Sequence, residues 1–344
     1  MEQKMNLRAL AKSLNLSIST VSKALNNSHE ISAATKKRVK EAAKLHNYVP
    51  NFMGQNLKAR KTKTIGVVIP DVLPHFFAKA LHSIETTASQ LGYKIIFCLS
   101  NESTEKEAES IRTLINGSVD GIIMSLAKET QANDDCDHLL KLKDYQIPLV
   151  LFDRVTHAIK CDKIRINDAE IAEEATHYLS TSGRRNILYL SSLSKTSVDK
   201  RRHEGYLRAV RSRKLENHTL HVTRKQEFEP KILRAFKENS IDAILAADEL
   251  TAIIAMKIAI THGYSVPEDI SVIGFTNGLM GENFVPSLST VEQYAEDQGK
   301  LAVETMIARI EERLPEDFVS KVLQTSIIHR GSTIPAPIFS SLQV

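Results

Sequence analysis

Between Ser17 and Asn26 the chain reads SISTVSKALN. Val21, Ala24 and Leu25 recur there at helical spacing, so Ile18, Ser19, Thr20, Ser22, Lys23 and Asn26 are left on one outward face. Hydroxyls, an amide, an ammonium and a branched alkyl group are what a base edge, a thymine methyl and a phosphate each require. Lys23 suits a guanine edge or a phosphate. Chemistry of the bond-breaking kind has no comparable constellation: there is no Gly-Lys-Ser/Thr phosphate loop, no Gly-x-Ser-x-Gly elbow and no His-Glu-x-x-His. The 12 histidines are scattered, and the 3 cysteines, Cys98, Cys136 and Cys161, are far apart. Neither a catalytic site nor a metal site, cofactor or disulfide framework is expected.

The elements that must present this face are three short helices. Asn6 caps a helix over about 7–14 with Leu7, Leu10, Ala11 and Leu14 on one side, and Asn15 suits the left-handed turn that follows. Ser17 caps the second helix, completing a helix-turn-helix pattern. Ser32 and Thr35 open a third, in which Val39, Ala42, Ala43 and Leu45 are expected inside and Lys36, Lys37, Arg38, Lys40 and Lys44 outside. Residues 1–64 hold 13 Lys/Arg against 3 Asp/Glu, a balance of +10, whereas the remaining 280 residues hold 32 against 38, or −6. A basic end on a mildly acidic body points to a polyanion as partner of that end. No apolar run reaches the roughly 20 residues of a membrane span, and the N-terminus has no secretory pattern, so a cytoplasmic location is expected.

The stretch NLRALAKSLNLSISTVSKALNNSHEISAATKKRVKEAAKLHNYVPN resembles the DNA-binding head of the lactose-repressor (LacI/GalR) family, densely and without gaps. The resemblance implies a sequence-specific transcription regulator, a repressor by class, whose operator-contacting residues include Ser17, Ile18, Ser19, Thr20, Ser22, Lys23, Asn26, Tyr48 and Asn51. It also implies a hinge helix over residues 52–59, capped by Asn51, with Leu57 as the apolar wedge between base pairs of the minor groove. Gly54 and Gln55 depart from the commoner Ala-Arg pair, and Gly54 weakens an isolated helix by about 1 kcal/mol relative to Ala. Arg60, Lys61 and Lys63 read as a basic linker.

From Thr64 onward strand-sized apolar runs alternate with helical stretches, as in TIGVVIP, a helix over about 76–91, YKIIFCLS, a helix over about 105–116, and DGIIMS. Continuous Val/Ile/Leu runs of this kind are parallel strands with both faces covered by helices, so two doubly wound sheets are expected. This region is similar to the periplasmic-binding-protein fold in which the same family binds effectors. The expected fold is thus an all-α helix-turn-helix head and hinge helix joined to an α/β core. The expected domains are the head at 1–50, hinge and linker at 51–63, the core at 64–335 and a tail at 336–344. The core divides into lobe one at about 64–161 and 293–321 and lobe two at about 162–292 and 322–335.

The resemblance assigns effector contacts to Phe76 or Phe77, Asp153 and Arg154 after PLVLF, Arg202, Thr276 and Asn277 after ISVIGF, and Gln293 after STVE. A guanidinium fork suits ligand oxygens. Two departures bear on the ligand: Thr276-Asn277 stands where the family commonly has an Asp after Gly-Phe, and Ala247 where Asn is frequent. Asp248 is expected to cap a helix, and His75 to lie near the cleft. The partners implied are double-stranded DNA with a near-palindromic operator, a small molecule of the sugar or sugar-derivative class, and a second copy of the chain, since two-fold symmetry maps onto paired half-sites. The ending STIPAPIFSSLQV carries no heptads, which favours a dimer over a tetramer. A secreted solute-binding protein, sharing the lobes, has no use for residues 1–60.

Overall fold

The computed structural model describes residues 5–25, 27–46, 48, 62–117 and 119–335. It divides into two compact units, Met1–Thr62 and Lys63–Val344.

In the first unit, α1 (Leu7–Ser13) begins where Asn6 Oδ1 accepts from Ala9 N at 2.8 Å. Asn15 takes φ 53°, the left-handed turn its short polar side chain tolerates. Ser17 Oγ accepts from Thr20 N at 3.0 Å to start α2 (Ile18–Leu25), and Ser32 Oγ from Thr35 N at 3.3 Å to start α3 (Ala33–Leu45). Leu10, Ala11, Leu14, Val21, Ala24, Val39 and Ala43 form the core. Arg38 ties α3 to the turn by donating to Leu14 O at 2.9 Å. Leu45, expected inside, is 79 % exposed. Six residues beyond Val39 it has turned about 240° around the helix, whereas Ala43 has returned to within about 40°.

In the second unit, β1 (Thr64–Ile69), β2 (Lys94–Leu99), β3 (Gly121–Met124), β4 (Leu149–Phe152), β5 (Asp162–Ile166) and β11 (Ser320–Leu323) make one sheet in the order β11-β5-β4-β3-β1-β2, every pair parallel. The other sheet holds β6 (Ile187–Ser191), β7 (His218–His221), β8 (Ala243–Ala246), β9 (Ser271–Phe275), β10 (Ser289–Glu292) and β12 (Ser326–Ile328), in the order β12-β10-β9-β8-β6-β7. The late strand β12 runs antiparallel to β10, an exception to the expected parallel sheet. Helices α4 (His75–Gln90), α5 (Thr104–Asn116), α6 (Lys128–Asn133), α7 (Asp137–Asp144) and α13 (Ala295–Ile310) accompany the first sheet. The second has α8 (Asp168–Thr181), α9 (Ser197–Ser212), α10 (Phe228–Asn239), α11 (Glu249–Thr261) and α12 (Leu279–Asn283). Strands β3, β4, β6, β8 and β9 are buried at every position, as strands covered on both faces must be.

Two expected lobe boundaries shift. Strand β5, placed in lobe two by the family resemblance, pairs with β4 in lobe one, and β11 pairs with β5 instead of splitting at residue 321. Asp162 explains the choice. It is 1 % exposed and held by Arg309 of α13 at 2.7 and 2.9 Å, which fastens the start of β5 to the lobe-one helix. The chain therefore crosses between sheets after Ile166, after Glu292 and after Leu323.

Gly205 lets α9 lie against α8, since a Cβ there would come 2.0 Å from Ala169 O. That close approach brings Asp168, the first residue of α8, beside Arg201 and Arg202.

Candidate functional site

On α2, Ser17, Ile18, Ser19 and Lys23 are exposed and Thr20 and Ser22 partly so, on the face opposite Val21 and Ala24. Ser17 is occupied by capping, and its Oγ also meets Thr20 Oγ1 at 2.8 Å. Lys23 forms an ion pair with Glu30, both half-exposed. Tyr48 packs partly buried on the head core, its N donating to Ala43 O at 2.8 Å. Asn26, Asn51, Leu57 and the expected hinge helix lie outside the described residues, as does the tail at 336–344.

Within the second unit a cavity of about 460 Å³ opens between the two sheets, a volume usual for small-molecule sites. Of the residues expected to meet a ligand, Phe76, Phe77, Asp153, Arg154, Arg202, Thr276 and Gln293 line it. Asn277 does not. Its Nδ2 donates to Glu292 at 2.7 Å and its Oδ1 accepts from Arg330 at 2.7 Å, so its side chain is spent on the loop and on the β12 end.

Phe76 and Phe77, 5 % and 3 % exposed, start α4 and meet edge-on at 5.2 Å, with Phe152 behind them. Asp153 follows β4 at φ 57°, and Thr276 follows β9 at φ 79°. A left-handed backbone at a non-glycine residue, and at a β-branched one above all, is strain that packing must hold in place. Thr276 Oγ1 donates to Gln293 Oε1, joining two strand ends.

The charges are deeply set. Arg154 is 4 % exposed and donates through Nη1 to Glu102 at 2.7 and 2.9 Å, so its main partner is Glu102, with Asp153 at 4.0 Å. Arg202 is 2 % exposed; Nε donates to Asp168 at 2.8 Å, Nη1 to Ala247 O at 2.7 Å, and the guanidinium lies 4.1 Å from the Phe275 ring centroid. Its Nη2 has no hydrogen-bond partner among the described residues. Burial pushes the Asp153 carboxyl up to about 6, against the opposing pull of Arg154 and Arg202. Asp248 caps α11, accepting from Thr251 N at 2.8 Å, and it lines the cavity as well, as does His75.

Sequence reading missed Glu102, Ser192, Leu193, Val198, Leu250 and Met280. The signal for the first two was available: Glu102 lies just beyond β2 and Ser192 just beyond β6, and ligands in open α/β sheets sit at the carboxyl ends of strands. Lys128, also missed, reaches from α6 to Ser192 O at 2.8 Å. Beside it Val155 N donates to Ser197 Oγ at 3.1 Å and Ser197 N to Gln131 Oε1 at 3.0 Å, so the two lobes are bonded along one edge. Burial lowers the Lys128 ammonium from its ordinary value.

Among the described residues no group of three or more His, Cys, Asp and Glu could hold a metal ion, and no helix is long and apolar enough to cross a membrane. The family of bacterial regulatory proteins, lacI family, matches residues 6–51, and a periplasmic binding protein-like domain matches residues 176–333. The chain is 29 % identical to the ribose operon repressor of Halalkalibacterium halodurans, over 95 % of this chain and 96 % of that one. It is 30 % identical to the HTH-type transcriptional repressor PurR of Aliivibrio fischeri, over 95 % and 97 %. A solved lac repressor dimer, bound to operator and the anti-inducer ONPF, is similar in fold at a TM-score of 0.85 and 20 % identity, covering 96 % of this chain and 100 % of that one. With its helix-turn-helix head and two-sheet binding core, the chain belongs to the lacI family of bacterial regulatory proteins and is a DNA-binding transcription regulator controlled by a small-molecule effector.

Proposed function

We propose that the protein is a homodimeric repressor that reads a near-palindromic operator with the exposed face of α2 and is switched by a small molecule of the sugar or sugar-derivative class bound between its lobes. The observation that carries the switch is the pair of buried charged side chains at the cavity wall: Asp153, in an ion-pair contact with Arg154 at 4.0 Å, follows a lobe-one strand, and Arg202, whose Nη2 has no hydrogen-bond partner among the described residues, sits on a lobe-two helix. A ligand held by both bonds the two lobes to each other. Because the chain passes between the sheets three times, a change in lobe closure moves short crossing segments with little unfolding. Coupling of this type is worth about 1–3 kcal/mol.

Homodimerisation is supported by apolar surface on both lobes. Ile96 and Phe97, 43 % and 52 % exposed, stand on the edge strand β2, and Ile260, Leu279 and Val285, 42 %, 61 % and 84 % exposed, stand on lobe two. Exposed apolar edges of this sort are association surfaces. Binding without turnover in the cytoplasm completes the reading.

Selection from a randomised duplex pool with purified full-length protein tests it. Enrichment of a site with two related half-sites is expected, and an unenriched pool, with and without metabolites, removes the proposal. Leu57→Ala should lower specific affinity while leaving the core's unfolding unchanged; equal operator binding would remove the wedge role.

A further inference from the structure

Lys63 is the first residue of the second unit, and a lysine of a basic linker is by its chemistry a cation for a phosphate. The core claims it instead. Its N–H donates to Asp120 Oδ2 at 2.7 Å, its carbonyl accepts from Lys94 N at 2.8 Å, and Asp120 N donates in turn to Thr64 O at 2.8 Å. Its backbone is left-handed at φ 54°, a conformation that a lysine keeps only where its surroundings hold it. The side chain is engaged as well. Nζ lies 4.3 Å from the ring centroid of Tyr93, a residue 3 % exposed, and 3.7 Å from Glu311, which also meets Arg313 at 3.0 Å.

These partners come from three elements of lobe one. Tyr93 precedes β2 and Lys94 opens it, Asp120 precedes β3, and Glu311 ends α13. All stand at the amino ends of the strands, whereas Glu102 and Asp153 of the cleft follow the carboxyl ends. Helix α13 begins two residues after Gln293 of the cleft wall, and Gln298 Nε2 in its first turn donates back to Gln293 O at 2.9 Å. After 16 residues, about 24 Å, it ends beside Lys63. An ion pair this exposed is weak by itself. Its weight comes from the backbone beneath it, because a lysine whose amide, carbonyl and ammonium are all held is not free to follow a phosphate.

We propose that Lys63 is a positioning residue and not a phosphate contact: it pins the root of the linker to lobe one, with Asp120 holding its backbone and Glu311, at the end of α13, holding its ammonium. Pinning removes conformational freedom that DNA binding otherwise has to remove, and ordering one residue is worth about fivefold or more in an equilibrium constant. The sign of the acidic partners' effect follows. By charge alone, a protein that loses a carboxylate binds a polyanion more tightly; one that loses a pin binds it less tightly.

Two measurements on the full-length protein test the pin. Without DNA, hydrogen exchange at the Lys63 and Lys94 amides should quicken about threefold in Glu311→Gln and in Lys63→Met and keep the wild-type rate in Lys63→Arg. Exchange that is equal in all of them overturns the proposal. Binding to the duplex enriched by selection, followed from about 50 to 200 mM salt, should weaken about threefold in Glu311→Gln and Lys63→Met and about fivefold in Asp120→Ala, with an unchanged slope against salt. The Lys63→Met, Glu311→Gln double variant should lose no more than either single one. A slope smaller by about 1 in Lys63→Met, or tighter binding by Glu311→Gln, makes Lys63 a phosphate contact and overturns the proposal, as does wild-type binding in every variant. The core's unfolding temperature should stay fixed in Glu311→Gln and Lys63→Met, which separates positioning from loss of fold. The duplex measurement rests on the operator reading; if no duplex is enriched that reading fails, and the exchange rates still decide the pin.

Discussion

On α2, polar side chains reach either a local partner or solvent: Ser17 caps, Thr20 meets Ser17, and Lys23 meets Glu30 where both are half-exposed. In the cleft, Arg202 is buried with its Nη2 unpartnered among the described residues, the Asp153 carboxyl is desolvated, and Asp153 and Thr276 hold left-handed backbone. The proposed reading helix thus carries little desolvation or strain, and under that proposal its attraction to a duplex comes from exposed groups and salt-dependent charge. The unbound cleft carries both costs, and a ligand that relieves them is favoured over one that does not. Selectivity in one region is written on a surface, and in the other it is stored in an interior.

The sharpest way to break this contrast is Asp153. Its folded carboxyl sits at about 6 against an ordinary 3.8, so the folded chain takes up a proton more readily than the unfolded one. The stabilisation from that proton is full below about pH 4 and is lost as pH rises through about 6, an effect of about 3 kcal/mol. Asp153→Asn should therefore flatten the pH dependence of the core's denaturation midpoint and raise it at pH 8 while weakening effector binding; an unchanged profile would show that the carboxyl is not desolvated.

Lys23→Gln should cost about 2 kcal/mol of discrimination at one base pair of each half-site, measured by competition between single-substituted operators. A uniform loss over all sequences would make Lys23 a phosphate contact. Ser17→Ala should remove about 1 kcal/mol from the head's stability by loss of the cap, visible as earlier melting of that unit. Ser19→Ala should leave the melt unchanged and alter only base preference. The smallest effect is expected from Lys128→Met, which removes the bond to Ser192 O. A change of about 0.5 kcal/mol, roughly twofold in the effector concentration at half response, is expected from a partly solvated hydrogen bond; no change would confine Lys128 to its own lobe.

The head was legible almost residue by residue because its caps, its turn and its apolar spacing are contacts over three or four positions. Leu45 failed there for a reason of phase: six residues on, less than two turns, the helix had rotated it away from the core that Val39 defines. The core's alternation of strand and helix was legible too, but which sheet β5 and β11 join was not, since Asp162 is claimed by Arg309, 147 residues further along.

What the residues alone determined was local: the exposed polar face of α2, the strand runs, and the strand ends at which Asp153, Thr276 and Gln293 stand. Only tertiary structure decided that Asn277 turns to Glu292 and Arg330, that Glu102 rather than Asp153 is the main partner of Arg154, and that Leu250 and Met280 face the cavity. The physical reason is range. Helical phase and capping act over one turn of chain, whereas a cleft wall is set by which distant strand ends the packing of two sheets brings into contact.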